Sequence, residues 1–191
     1  VVALGVVFLF PARAQTPPHP TPSEARRLPI PYPFENSESV VYRAHWNGIP
    51  VATAEIQGTP VSIEGKKFYH VEIQAKTLSV LDLIWRMRDT IASTFDVKTL
   101  QPHRFVFFQR ENRSVTDTTA VFDRGTNTWT VERQKGGKVA KFDFTSSRTF
   151  DPITAAYLLR NIDFKVGDRL QFEVFGGKSR YLLTLDIAAR E

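Results

Sequence analysis

From Ser39 to Thr145 apolar and polar residues exchange places with the two-residue period of strands that bury one face. Tyr42, Ala44 and Trp46 fall on one side of the first run, Asn47-Gly48 turns the chain, and Val51 begins the return. Asn-Gly between alternating apolar residues is the strongest short signal for a hairpin, so Ser39 to Gln57 is predicted to be one. Lys67 to Lys76 places Tyr69, Val71, Ile73 and Ala75 on one face, with His70, Glu72 and Gln74 on the other. Leu78 to Met87, LSVLDLIWRM, breaks the alternation and reads as one or two helical turns or as a bulged strand. Ile91 to Phe95, Arg104 to Arg110, Val115 to Asp123, Thr128 to Arg133 and Lys138 to Thr145 follow as strands. Asp123-Arg124-Gly125 and Lys135-Gly136-Gly137 supply turns between the later ones. Short strands at this spacing predict a sandwich, a barrel or a strongly curved sheet.

One stretch departs from the pattern. In Asp151 to Asp168, DPITAAYLLRNIDFKVGD, Asp151 offers an N-cap side chain and Pro152 fits the first helical position. Ala155, Leu158, Leu159 and Ile162 make one face; Ile153, Ala156 and Tyr157 make the other. A helix apolar on nearly all sides is buried on nearly all sides, and a buried Arg160 would then need a carboxylate or several carbonyls. Lys165-Val166-Gly167-Asp168 turns the chain into Arg169 to Phe175, and Gly176-Gly177 leads into Arg180 to Ala188. The expected fold is all-β and mainly antiparallel: a long, highly curved, barrel-like or spiral sheet closed around one short buried helix at about 151–162.

Two other segments fit neither period. Val1 to Phe10, VVALGVVFLF, has the length of the apolar core of an export signal, and Ala12-Arg13-Ala14 gives the small-x-small cleavage pattern. Residues 1–14 therefore read as part of a secretory signal, cleaved before Gln15, and the mature protein as soluble and periplasmic. A buried N-terminal strand is the alternative. Gln15 to Pro33, QTPPHPTPSEARRLPIPYP, is proline-rich and polar, the composition of an extended, largely disordered tether. One β-rich domain is expected over 34–191. Tyr181 to Ile187 would be an apolar edge strand in need of a neighbour, so the natural domain is expected to continue beyond Glu191.

Composition narrows the chemistry. The 191 residues contain no cysteine, which excludes disulfides, thiolate-bound metals and thiol nucleophiles; the 15 Phe are the one visible excess. The formal charge is +5, but removing the three arginines and one glutamate that precede Phe34 leaves 22 basic and 19 acidic residues, a net of +3. His103 to Arg110 interleaves aromatic and basic residues as a nucleic-acid groove would, yet a half-exposed strand reads the same way, and export sets nucleic acid aside. His19, His45, His70 and His103 show no metal-site spacing, and no nucleophile elbow, P-loop or dinucleotide fingerprint occurs. Asp82, Asp89, Glu111 and Asp117 are the acids from which a glycosidic pair could be drawn. Aromatic residues on strands (Tyr42, Trp46, Phe105, Phe107 and Trp129 first among them) must build the core, or line an apolar cleft if the sheet is open on one side.

Tyr42…Trp46-Asn47-Gly48-Ile49, Leu100-Gln101-Pro102…Phe105, Val121-Phe122-Asp123 and Asp151-Pro152…Ala156-Tyr157…Leu159-Arg160…Gly167-Asp168 together resemble the bacterial domain of unknown function 3108 family, over roughly Phe34 to the C-terminus. The resemblance implies an exported, β-rich envelope protein that continues some tens of residues further, and it carries no catalytic residue. Asp151, Thr154, Ala155 and Arg160 match the family's helix element, read here with Pro152, Tyr157 and Gly167 as structural: a capped helix whose arginine is tied down inside the sheet. The expected function is binding rather than catalysis, with no cofactor and no metal. The partner is another envelope protein met through the sheet edge or the tether; the alternatives are a carrier of lipid or acyl chains and a hydrolase of cell-wall or polysaccharide material.

Overall fold

The computed structural model describes residues 10–11 and 32–188. Most of the predicted export signal and of the proline-rich tether lies outside the described residues. The chain forms two compact units, one spanning Pro33–Ser147 and the other built from Arg148 onward together with residues up to Tyr32.

The first unit is a single eight-stranded antiparallel meander. Its strands are β2 (Glu38–Trp46), β3 (Ile49–Ile63), β4 (Lys66–Thr77), β5 (Arg88–Asp96), β6 (Pro102–Glu111), β7 (Ser114–Asp123), β8 (Thr128–Lys135) and β9 (Lys138–Thr145), each paired with the next in sequence. Asn47 and Gly48, at φ of 48° and 79°, make the predicted turn: both central residues are left-handed, as a two-residue hairpin with matching twist requires. The expected closure into a barrel is not found. Among the described residues β2 and β9 are the two edges of an open sheet.

Leu78 to Met87 is neither strand nor an extended helix; it holds a single 3₁₀ turn at Ser79–Leu81. Opposite it, the connection from β5 to β6 is held by one carboxylate. Asp96 Oδ1 accepts from the backbone N–H groups of Lys98 (2.9 Å) and Thr99 (2.8 Å), while Oδ2 meets Arg124 at 3.1 Å. These bonds fix a turn in which buried Leu100 takes a φ of 56°, a region disfavoured for a bulky side chain. Burial pushes the Asp96 carboxyl up, but the two backbone N–H donors and the Arg124 charge outweigh it and hold the group below the ordinary value of 3.8. The native state therefore binds this proton less readily than the unfolded chain. The stabilisation is fully present above 3.8 and is lost as pH falls through the lower native value. Asp96→Ala is expected to cost about 1–2 kcal/mol near neutral pH. Denaturant titrations at falling pH should show the gap between wild type and variant closing below 3.8.

The second unit is a small four-stranded sheet, ordered β1 (Phe10–Pro11), β12 (Arg180–Asp186), β11 (Arg169–Phe175), β10 (Thr149–Phe150), with helix α1 (Pro152–Leu159). β10 runs parallel to β11, and the buried Thr149 hydroxyl donates to Glu173 Oε2 at 2.8 Å. α1 lays Ala155 against Phe172 and Val174, with Phe150, Leu159 and Leu183 packed around them. The predicted strand at Tyr181 to Ile187 pairs with β11 along its length and with β1 at Leu182 and Tyr181.

The helix start matches its sequence: Asp151 Oδ1 accepts from the Ile153 and Thr154 N–H groups, each at 2.9 Å, and Oδ2 from the Thr154 hydroxyl at 2.6 Å. Arg160 differs. The helix ends at Leu159, one residue before the arginine, so Arg160 is an exposed C-cap rather than a group tied down inside a sheet. Its guanidinium lies 4.4 Å from the ring centre of Tyr32 and 4.9 Å from that of Tyr157, a cation held by two aromatic faces. Tyr32 is also fixed by its N–H, which donates to Asn161 Oδ1 at 2.9 Å, so this end of the predicted tether is docked on the helix. Gly167, at φ of 92°, turns the chain with Lys165 and Asp168 as predicted.

Candidate functional site

Alternation gives the eight-stranded sheet one strongly apolar face. Cross-strand register aligns Ile56, Ile73, Ile91 and Phe107 in one row, and Tyr69 with Phe95, Ser93 with Phe105, and Phe105 with Ala120 in rows nearer the other end. The two ends of this face differ. Toward the β5–β6 connection Tyr69, Val71, Phe95, Phe105, Trp129 and Val131 are all completely buried. There Phe34 stands edge-on to Tyr69 and Phe95, with ring centres 5.2 and 5.7 Å away, and the Tyr69 hydroxyl donates to Asn36 O at 3.0 Å. Tyr69 also lies so close over Gly58 that an added Cβ would meet its hydroxyl at 2.6 Å and its ring at 2.7 Å, which only glycine permits. Toward the 78–87 loop the same face is half-exposed at Ile56, Ile73, Ile91 and Phe107, with the small residues Ala54 and Ala75 paired in the next row.

The connection at that half-exposed end is itself apolar and turned outward. Leu83 is 98% exposed, Ile84 82%, Val80 72% and Trp85 48%. Its base is tightly built. Arg88 donates to Thr77 O (3.1 Å), Thr77 Oγ1 (3.1 Å) and Met87 O (2.7 Å), and pairs with Asp82 at 2.7 Å. Within the loop Trp85 N donates to Leu81 O at 2.8 Å, and Asn112 N to Arg86 O at 2.7 Å ties it to the next turn. The β2–β3 turn lies beside it, joined through Leu78 N to Val51 O at 3.0 Å, and carries exposed Trp46 (72%) and Ile49 (62%). A fully exposed side chain of this kind forgoes about 1.5–3 kcal/mol of burial, and the cluster on this braced loop is a candidate contact surface.

The sequence profile of the family described as "Protein of unknown function (DUF3108)" matches residues 41–191. The chain belongs to this family. No match was found among the curated proteins or the solved structures compared with it. The motifs that carry the family resemblance are now placed: Trp46-Asn47-Gly48-Ile49 is the left-handed hairpin turn, Leu100-Gln101-Pro102 the turn braced by Asp96, and Asp151-Pro152 the helix cap.

The five aromatic residues singled out for a ligand cleft do not form one site. Phe105 and Trp129 are fully buried core, Trp129 lying between Phe122 (5.3 Å) and the parallel ring of Phe144 (5.8 Å). Phe107 lies on the half-exposed part of the apolar face, Tyr42 (58% exposed) on edge strand β2, and Trp46 at the tip of the hairpin. Three of the four acids considered for glycosidic chemistry serve the scaffold, while Glu111 ends β6. Asp82 pairs with Arg88, Asp89 accepts from the Arg110 N–H at 2.8 Å, and Asp117 pairs with the Arg110 side chain. His70 Nδ1 is 2.9 Å from the Thr94 hydroxyl, and His103 packs on Phe68. Among the described residues no group of three His, Asp or Glu could hold a metal ion, and no helix is long and apolar enough to cross a membrane. In the sequence, the outward loop shows only as the broken alternation at Leu78 to Met87.

Proposed function

We propose that this is an exported protein of the bacterial envelope that acts by binding, and that its ligand is an acyl chain, of a lipid or a lipidated protein, laid on the half-exposed part of the apolar face. One observation carries the reading: a single apolar face runs from the buried rows of Tyr69 and Phe105 out to a half-exposed row of Ile56, Ile73, Ile91 and Phe107. Branched and aromatic side chains with a row of alanines beside them provide an apolar bed, and a flexible chain needs no polar anchor to lie on it. In this reading the face is the concave side of a curved sheet, and the Val1 to Ala14 signal delivers the protein to the periplasm, where acyl chains need carriers through water.

The test is titration of the full chain with a dansyl-labelled fatty acid, beside native mass spectrometry of protein purified from periplasm. Saturable binding that Phe107→Asp weakens at least ~tenfold, with the melting temperature within a few degrees of wild type, is the expected result, since a charge in an apolar bed must be desolvated. Equal binding by wild type and variant would overturn the reading. A second reading, docking of a partner protein by strand addition, is favoured by β2, whose nine residues form an edge with Val41 (60%), Tyr42 and Trp46 exposed. A clean apo mass together with capture of an envelope protein lost in Val41→Pro would favour that reading.

A further inference from the structure

We propose that the end of the eight-stranded sheet carrying the 78–87 loop docks on an anionic lipid bilayer, with Leu83, Ile84 and Trp85 entering the interfacial layer. The proposal is independent of what the apolar face holds. Strand direction gathers four connections at this end: the 47–48 turn, the 78–87 loop, the 112–113 turn and the 136–137 turn. The exposed large apolar side chains in or flanking the first two are Trp46, Ile49, Val80, Leu83, Ile84 and Trp85, and the connections at the opposite end, 64–65, 97–101 and 124–127, hold none. Its connections carry Glu64, Lys98 and Arg124 instead.

The shape of the patch favours a membrane over a protein groove. Leu83 at 98% exposure and Ile84 at 82% stand on a convex tip. A tip of that kind finds its full contact in a fluid that closes around it, whereas a protein partner must supply a matching pocket. Trp85 and Trp46 are the residue type that settles at the level of lipid headgroups. The loop is also ready to insert, because Arg88, Asp82 and Thr77 brace its base, so little ordering remains for the moment of contact.

Charge identifies the lipid. Arg86 in the loop, Arg113 in the 112–113 turn, and Lys135 and Lys138 beside the 136–137 turn lie on the same end, all exposed to solvent. The acids in these connections are Asp82, already paired with Arg88, and Glu111 at the end of β6. Cations on the same end as an apolar tip would sit among anionic headgroups while the tip enters below them, the arrangement by which peripheral proteins add electrostatic attraction to apolar insertion.

Vesicle co-sedimentation of the full chain tests this with two compositions, pure phosphatidylcholine and phosphatidylcholine mixed with phosphatidylglycerol. Wild type should bind the mixed vesicles strongly and the neutral ones weakly, and salt should release it. L83D/I84D should lower the bound fraction on mixed vesicles at least ~tenfold without moving the melting temperature, because both side chains are already in water. K135E/K138E should weaken binding to the mixed vesicles and leave the neutral ones unaffected. Brominated lipid should quench wild-type tryptophan emission, and less so in Trp85→Phe. Equal binding of L83D/I84D and wild type, or binding indifferent to phosphatidylglycerol, would overturn the proposal. So would a wild type that self-associates without lipid and becomes monomeric in L83D/I84D, which would assign the tip to a second copy of the chain.

Discussion

Trp129→Ala is expected to destabilise the eight-stranded sheet by about 3–5 kcal/mol, the cost of removing a large aromatic from a packed core. For a chain of this size that is a fall in melting temperature of roughly 6–20 °C. Trp129 is completely buried on β8, with Phe122 on the neighbouring strand and the Phe144 ring stacked at an interplanar angle of 12°. Nothing of alanine's size can fill that space, and the facing rings lose both contact area and their favourable ring geometry. Phe107→Ala, on the same face but half-exposed, should cost distinctly less. Circular dichroism melts of the two variants measure the difference. Comparable losses would mean that the gradient of burial along the apolar face is wrong, and with it the distinction between core and ligand bed.

Asp151→Ala comes next, with a loss of about 2–4 kcal/mol, and here the cause is polar. The carboxylate is fully buried and receives the two N–H groups at the start of α1 together with the Thr154 hydroxyl. Alanine would remove the cap and leave these buried donors without an acceptor. Asp151→Asn keeps one oxygen in place and should recover much of the loss. Recovery by asparagine separates a capping role from a purely electrostatic one. If alanine and asparagine melt together, the charge rather than the hydrogen-bond geometry is what matters at this position.

The large sheet was readable because its information is local. Each strand pairs with the next, and Asn47-Gly48 and Gly136-Gly137 announce the turns that make this possible. Alternation then assigned Tyr69, Val71, Ile73 and Ala75 to a common face, but it says nothing of depth along that face. Phe105 and Phe107 are two residues apart with the same neighbours in pattern, yet one is core and the other half-exposed. The β10–β11 pairing was illegible for a different reason: Thr149 and Phe150 are too short a run to show any period. The expected helix runs to about 162, but α1 ends at Leu159, and Arg160 passes from an expected interior to a surface stack on Tyr32 and Tyr157. The Leu78 to Met87 loop shows the deepest limit. Seven apolar letters in a row of ten look like core, and only the tertiary structure reveals that Val80, Leu83, Ile84 and Trp85 face water.

The meander connectivity of β2 to β9 also bears on how the protein acquires its structure. Every partner in that sheet is separated from its neighbour by one short connection, so few contacts need distant parts of the chain to find each other. Loop-closure entropy is small at every step, and a hairpin once formed offers its free edge as the template for the next strand. A polypeptide that emerges from a pore in an extended state, amino end first, can therefore lay down this sheet strand by strand in the order of its arrival.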